Sequence, residues 1–234
     1  MIDQEKLLIW DFDGTLAYRK GKWSDVVLEV VRVAGEQQNG SLDDIRHHLR
    51  AGFPWNAPNI SHLHLTDPEL WWAALFPSIE RALIAAGISP GQATSLAREV
   101  RRRYICLDSW QLFDDTLCVL QKLTKRGWTH VILSNHVPEL SEIIAGLGLS
   151  SHIQRIYSSA TIGYEKPHPL IFEYVLHEIG KPRFIYMIGD NPNADILGAT
   201  NAGIPAILVR RITELPINQF PDLLGLTSFL AKHD

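Results

Sequence analysis

The sequence predicts an α/β fold, a Rossmann-like doubly wound parallel sheet interrupted by an inserted all-helical cap. Three observations predict it. Four short apolar runs each stop abruptly at a polar or glycine-bearing cluster. Helix-patterned segments of about ten residues separate the later runs. The long stretch after the first run carries helical periodicity and no convincing buried strand.

Leu7-Leu8-Ile9-Trp10 is the first run, and it ends at Asp11-Phe12-Asp13-Gly14-Thr15. Lacking alternation, it suits a strand covered on both faces, as in a parallel sheet. Residues 26–34, 42–49, 69–86 and 92–104 then read as helices, broken by Pro54, Pro58 and Pro68. Residues 17–110 are therefore expected to form the cap, leaving 1–16 and 111–234 as the core. Asp114 is the expected cap of a helix bearing Leu117, Leu120 and Leu123, closed by Gly127. Thr129 to Leu133 is the second strand, stopping at Ser134-Asn135. Pro138 opens a helix whose inner face is Leu140, Ile143, Ile144 and Leu147, stopped by Gly148. Pro169 opens another, with Phe172, Val175, Leu176 and Ile179 inward and Gly180 at its end. The third strand, Phe184 to Ile188, stops at Gly189-Asp190, and Asn193 is expected to cap a helix running to Gly203. Ala206 to Val209 is the fourth strand. Such alternation implies right-handed βαβ units.

The chain has 234 residues, 22 Lys+Arg against 26 Asp+Glu, a net charge of −4 and 46% apolar residues. These are ordinary globular values and exclude a disordered or fibrous chain. The mildly acidic balance argues against nucleic acid as a partner. No stretch reaches the roughly 18 uncharged apolar residues of a membrane span, and the start, with Asp3 and Glu5, is no secretory signal. Cys106 and Cys118 are too few and too far apart for a disulfide framework or a CxxC zinc site. The expectation is a cytoplasmic protein, monomer or homodimer, with no membrane or nucleic-acid partner.

In an open parallel sheet, ligands bind beyond the carboxyl ends of the strands. Every polar cluster falls there: Asp11 and Asp13, then Ser134 and Asn135, then Asp190 and Asp195, with Lys166 in the loop before Pro169. Crowded carboxylates repel and call for a cation, and hard oxygen ligands without His or Cys suit Mg²⁺. Phosphoryl transfer needs an in-line nucleophile, neutralisation of the equatorial oxygens and a proton donor for the leaving group. An Asp carboxylate can be that nucleophile, through an aspartyl-phosphate. Ser134 and Lys166 offer donors to the phosphate, and Gly14 lets the backbone turn tightly.

Asp11-Phe12-Asp13-Gly14-Thr15-Leu16, Ser134-Asn135, Gly163-Tyr164-Glu165-Lys166-Pro167-His168-Pro169, and Gly189-Asp190-Asn191 with Asp195 together resemble the haloacid dehalogenase superfamily. The likeness is to its phosphatase branch with a helical cap after the first motif, phosphoglycolate phosphatase-like; the cap matches in position and helical character only. The resemblance implies that Asp11 is nucleophile and Mg²⁺ ligand. It implies that Asp13 is general acid and then base, its carbonyl ligating the metal. Ser134 and Asn135 would bind phosphate, Lys166 neutralise the nucleophile and the phosphate, Asp190 ligate the metal, and Asp195 orient Lys166 or a metal-bound water. It implies a Mg²⁺-dependent phosphatase of a small phosphorylated metabolite. The alternatives are a sugar phosphomutase of the same family and a non-catalytic regulatory module, which would have eroded these residues. Dehalogenases lack an acid at the place of Asp13.

Outside the motifs, many relatives have an Asp about two residues after Leu16, where this chain reads Ala17-Tyr18-Arg19. Arg19, Lys20 and Lys22 read either as contacts for an anionic substrate or as a solvated loop. Arg101-Arg102-Arg103 reads as an exposed helix face. Trp55, Trp71 and Trp72 read as cap core, the alternative being that one aromatic lines the pocket.

Overall fold

The computed structural model describes residues 5–37, 39–50, 52–180 and 182–233. The first apolar run forms β1 (Lys6–Trp10), which leads through a tight turn to β2 (Ala17–Arg19). Four helices follow: α1 (Trp23–Val33), α2 (Leu42–Leu49), α3 (Pro68–Ala85) and α4 (Pro90–Ile105). β3 (Trp110–Leu112) returns the chain and pairs antiparallel with β2, Arg19 facing Trp110. This two-stranded ribbon is an addition to the helical expectation for the insertion. Three residues a side, one of them a charged Arg, leave no apolar signature in sequence.

The remainder alternates as expected: α5 (Thr116–Thr124), β4 (Trp128–Ser134), α6 (Leu140–Gly146), β5 (Arg155–Ser158), α7 (Ser159–Ile162), α8 (Pro169–Ile179), β6 (Phe184–Gly189), a π-wound turn at Pro192–Leu197, α9 (Gly198–Asn201), β7 (Ala206–Val209), β8 (Gln219–Phe220) and α10 (Leu223–Leu230). The sheet order is β5-β4-β1-β6-β7-β8, with every pairing parallel. β1 is central, so the chain adds strands on one side of it and then crosses to the other. That reversal leaves a crevice at the carboxyl ends of β1, β4 and β6. β5 and β8 were not foreseen because they are short edge strands, half-exposed, without a continuous apolar run.

The unalternating first run is now explained. Leu8 and Trp10 pack into one apolar cluster with Val119, Leu120 and Leu123 of α5 and Leu226 of α10. Leu7 and Ile9 face the other way, onto Ile171, Phe172, Val175 and Ile179 of α8. Both faces are dry, so both parities are apolar. The first cluster continues without a break into the cap, through Phe12, Trp110 and Tyr104 to Val26, Val30, Trp72, Leu75 and Val100.

Two capping expectations shift. Asp115, not Asp114, stands at the start of α5, and its carboxylate is taken by Arg210 (2.8 and 2.5 Å) and the Leu223 N–H. Asn191, not Asn193, caps the segment after β6: its Oδ1 accepts from the N–H groups of Asn193 and Ala194 at 3.0 and 3.1 Å. The π-wound first turn lets the chain start two residues early. Pro138 precedes α6 in a turn rather than opening its first helical position.

Candidate active site

β1 ends one residue before Asp11, whose N–H continues the ladder to the Ile188 carbonyl at 2.8 Å. Beyond it Gly14 turns at φ 88°, a conformation that favours glycine. A Cβ there would also fall 2.9 Å from the Asp190 carboxyl carbon, so the first turn and the end of β6 press together.

Lys166 is 2% exposed and reaches across the carboxyl ends of β1, β4 and β6. Its Nζ donates to Asp11 Oδ1 (2.9 Å), the Leu133 carbonyl (2.8 Å) and Asp195 Oδ1 (2.6 Å). Three N–H bonds thus meet three acceptors and fix the ammonium. Burial acts to lower its pKa, but the charges of Asp11 and Asp195 outweigh it and hold it above the ordinary lysine range. Ser134 Oγ donates to the same Asp11 oxygen at 2.7 Å. Asp195 is fully buried, and its second oxygen accepts from the Asn191 N–H at 2.9 Å. Gly189 is required beneath it, because a Cβ there would sit 2.1 Å from Asp195 Oδ2.

The structure therefore brings Asp11, Ser134, Lys166 and Asp195 into one hydrogen-bonded set, with Asp13, Asn135 and Asp190 lining the same cavity of about 440 Å³. Asn135 makes a contact that the sequence does not show. Its Nδ2 donates to the Lys166 carbonyl (2.8 Å) and its Oδ1 accepts from the Lys166 N–H (2.7 Å). The amide clasps the main chain of Lys166, with the second N–H of Nδ2 left over.

Residues 5–203 match the family model of haloacid dehalogenase-like hydrolases. The chain belongs to that family. It is 32% identical over 232 residues to a phosphoserine phosphatase of Thermus thermophilus, covering 88% of this chain and 89% of that one. It is 38% identical over 99 residues to a glyceraldehyde 3-phosphate phosphatase of Methanothermobacter thermautotrophicus, 42% of this chain and 44% of the relative. The fold matches the crystal structure of a 2-haloacid dehalogenase from Pseudomonas syringae with a TM-score of 0.68, at 22% identity over the whole of both chains.

In this haloacid dehalogenase-like hydrolase, Asp11, Asp190 and Asp195 offer carboxylate oxygens that all lie within 4.8 Å of one another. Asp195 is occupied by Lys166 and Asn191, so the remaining carboxylates are Asp11, whose Oδ1 already accepts from Ser134 and Lys166, and Asp190, whose Oδ2 lies 3.8 Å from Arg211. With no His or Cys in the group, the donors fit a hard divalent cation such as Mg²⁺. Burial, then the neighbouring Asp11 charge, pushes Asp190 up to about 6. Asp13 projects into the cleft; the surrounding walls, then Asp11, push it up to about 7, opposed by the Arg19 main-chain N–H.

Side chains of the 17–110 insertion line the same cavity. Trp23 and Tyr104 stack with centroids 3.8 Å apart and line the cavity with Trp55, whereas Trp71 and Trp72 are buried in the cap core. Sequence reasoning missed two things. Glu139, in the core before α6, accepts from Trp72 Nε1 (3.0 and 3.1 Å) and from Arg101 Nε and Nη2 (3.1 and 2.9 Å), tying α3 and α4 to the core. Arg101 is thus part of an interface, unlike the exposed Arg102 beside it. Second, Arg46 and Arg50 come to the cavity side of the cap; an amphipathic pattern shows which residues avoid the core, not what they face.

Proposed function

We propose that this phosphoric monoester hydrolase is a Mg²⁺-dependent phosphatase acting on a small phosphorylated metabolite through an aspartyl-phosphate. Residues 1–16 and 111–234 act as its catalytic core and residues 17–110 as the cap that selects substrates. The observation that carries this reading is the asymmetry of Asp11. Ser134 and Lys166 both donate to Oδ1, which orients the carboxylate and leaves Oδ2 to attack phosphorus. The bond from Oδ2 to phosphorus forms as the bond to the substrate oxygen breaks, and Asp13 gives that oxygen its proton. Water then attacks the phosphorus while Asp13 takes back a proton, and the bond to Asp11 breaks, releasing inorganic phosphate.

Ser134 and Lys166 stabilise the phosphoryl oxygens while charge moves. Asn135 assists by holding Lys166 in register, and Asp195 by orienting its ammonium. Asp11, Asp190 and the Asp13 carbonyl would hold Mg²⁺, which supplies charge neutralisation at the transferring group. An acid at position 13 also suits an alcohol leaving group, whereas halide departure needs no proton.

The test is phosphate release from p-nitrophenyl phosphate with Mg²⁺. Asp11→Asn is expected to lower turnover by about three orders of magnitude or more, since an amide is no nucleophile. Near-normal turnover of that variant, or full activity after exhaustive EDTA treatment, would sink the reading.

A further inference from the structure

Beside the catalytic cavity lies a second, larger one of about 750 Å³, and the two share Asp13, Trp23, Tyr104 and Asp190 in their walls. Its charged lining away from those shared acids is all cationic: Arg19, Lys22, Arg46 and Arg50. We propose that this outer cavity is a subsite for a second anionic group, so that the preferred substrates are phosphomonoesters carrying a carboxylate or another phosphate at the end remote from the scissile bond. The proposal rests on the phosphatase reading above and narrows its substrate class.

The cations are held for a ligand rather than for each other. Arg19 is fixed by main-chain carbonyls alone: Nε to Tyr104 (3.3 Å), Nη2 to Arg103 (3.2 Å) and Nη1 to Lys20 (2.9 Å), with its guanidinium 5.3 Å from the Tyr104 ring centroid. Carbonyls orient a guanidinium without cancelling its charge, and two of its five N–H donors are left over. Arg46 has one carboxylate near it, Asp43 at 3.6 Å, and that side chain is 93% exposed. Such a pair contributes little. Among the described residues, neither Lys22 nor Arg50 has a side-chain ion pair.

The nearby acids of α1, Asp25 and Glu29, act on Arg19 through their charge alone and make their short contacts elsewhere. Asp25 accepts from the Lys22 main-chain N–H at 2.5 Å, and Glu29 pairs with Arg103 at 3.2 Å. Asp13 and Asp190 sit at the inner end, where the reaction uses them. Four like charges around one cleft repel unless an anion joins them. Guanidinium groups suit a planar or tetrahedral oxyanion bidentately. The chain as a whole has a net charge of −4, so this patch is local to the cavity and not a general basic surface. Of Ala17-Tyr18-Arg19, it is Arg19 that lines the outer cavity.

Three matched probes test the idea with Mg²⁺ present: propyl phosphate, 3-phosphooxypropanoate and propane-1,3-diol bisphosphate. The expected result is a kcat/KM for one anionic-tailed probe about tenfold or more above propyl phosphate, expressed in KM. The better of the two tails tells carboxylate from phosphate. Arg50→Ala and Arg46→Ala should collapse that ratio, and Arg50→Lys should restore part of it. Calorimetry of propane-1,3-diphosphonate against propylphosphonate should show the same preference and the same loss. Both arginines are on the cap surface, so their removal leaves the fold intact, checked by an unchanged Tm. Equal kcat/KM for all three probes in the wild type, or a preference that survives when Arg46→Ala and Arg50→Ala are combined, overturns the proposal. Were p-nitrophenyl phosphate also untouched, the phosphatase reading itself would fall; hydrolysis of it without tail preference removes the subsite alone.

Discussion

Lys166 spends all three of its protons on Asp11, Asp195 and a carbonyl, in a place where water scarcely reaches. Removing one partner of such a set leaves buried charge unmatched, which costs about 3–5 kcal/mol. Lys166→Met is therefore expected to lower both stability, read by denaturant unfolding, and turnover of every phosphomonoester. A variant that lost activity on some substrates only would contradict the placement. His130 makes a second residue-scale prediction, independent of the site. Trp10 Nε1 can only donate, so His130 Nδ1 accepts from it at 3.0 Å, and Nε2 donates to Thr124 Oγ1 at 3.1 Å. Protonation would set two N–H groups against each other, and burial lowers its pKa from 6.5 to about 4. The folded state thus disfavours the proton that the unfolded chain accepts. Stability from this group is whole above pH 6.5 and falls as pH drops toward 4, by about 2 kcal/mol at pH 5. Burial likewise lowers the fully enclosed His136 to about 4, which adds a similar slope. Guanidinium unfolding of the wild type and of His130→Gln at pH 7 and pH 5 isolates this group, because Asp13 and Asp190, pushed up to about 7 and about 6, gain stability over the same range; an equal change in both proteins would refute the assignment.

At the scale of elements, what the sequence shows depends on how one-sided an element's surroundings are. β1, β4, β6 and β7 are buried on both faces and announce themselves as apolar runs, and α8 shows its single buried face at helical spacing. The β2–β3 ribbon and the edge strands β5 and β8 carry mixed residues, because half of each touches water. The contact between α3, α4 and the core is equally silent in sequence, since it joins Trp72, Arg101 and Glu139 across 67 and 38 positions. Arg101 also lies 5.3 Å from the Trp72 ring centroid. Glu139→Ala would strand the buried indole N–H, about 1–3 kcal/mol, and leave Arg101 with Glu69 as its partner at 2.7 Å. A fall in Tm together with faster proteolysis between α4 and β3 is expected. Trp72→Ala should do worse, about 3–5 kcal/mol, because a large side chain leaves a cavity. If Trp72→Ala changed substrate choice without changing Tm, its place in the core of the cap would be wrong.

For the whole molecule, the site exists only where the sheet reverses direction, so that residues 11, 134, 166, 190 and 195 meet from four segments. Ions that bind the folded chain alone stabilise it by mass action, about 2.7 kcal/mol at a hundredfold excess over Kd. Mg²⁺ at that excess is expected to raise Tm by several degrees in a domain of this size. Asp190→Asn should abolish the rise. An unchanged Tm in the wild type at saturating MgCl₂ would count against the cation site. No described helix is long and apolar enough to cross a membrane, in line with the absence of any long uncharged run.

The sequence by itself determined the sheet, its interruption by helices and the clustering of acids, a serine and a lysine at strand ends. It could do so because short-range rules govern each: apolar runs make buried strands, glycine and proline end helices, and a parallel sheet collects its loops at one rim. Only the tertiary structure decided that the Asn135 amide clasps Lys166, that Asn191 rather than Asn193 caps its turn, and that Asp115 answers Arg210. The ring of Arg19, Lys22, Arg46 and Arg50 likewise came from three dimensions. Those pairings depend on which polar groups end up near one another after the chain has folded, and water solvates them all alike until the walls of a cleft set them apart.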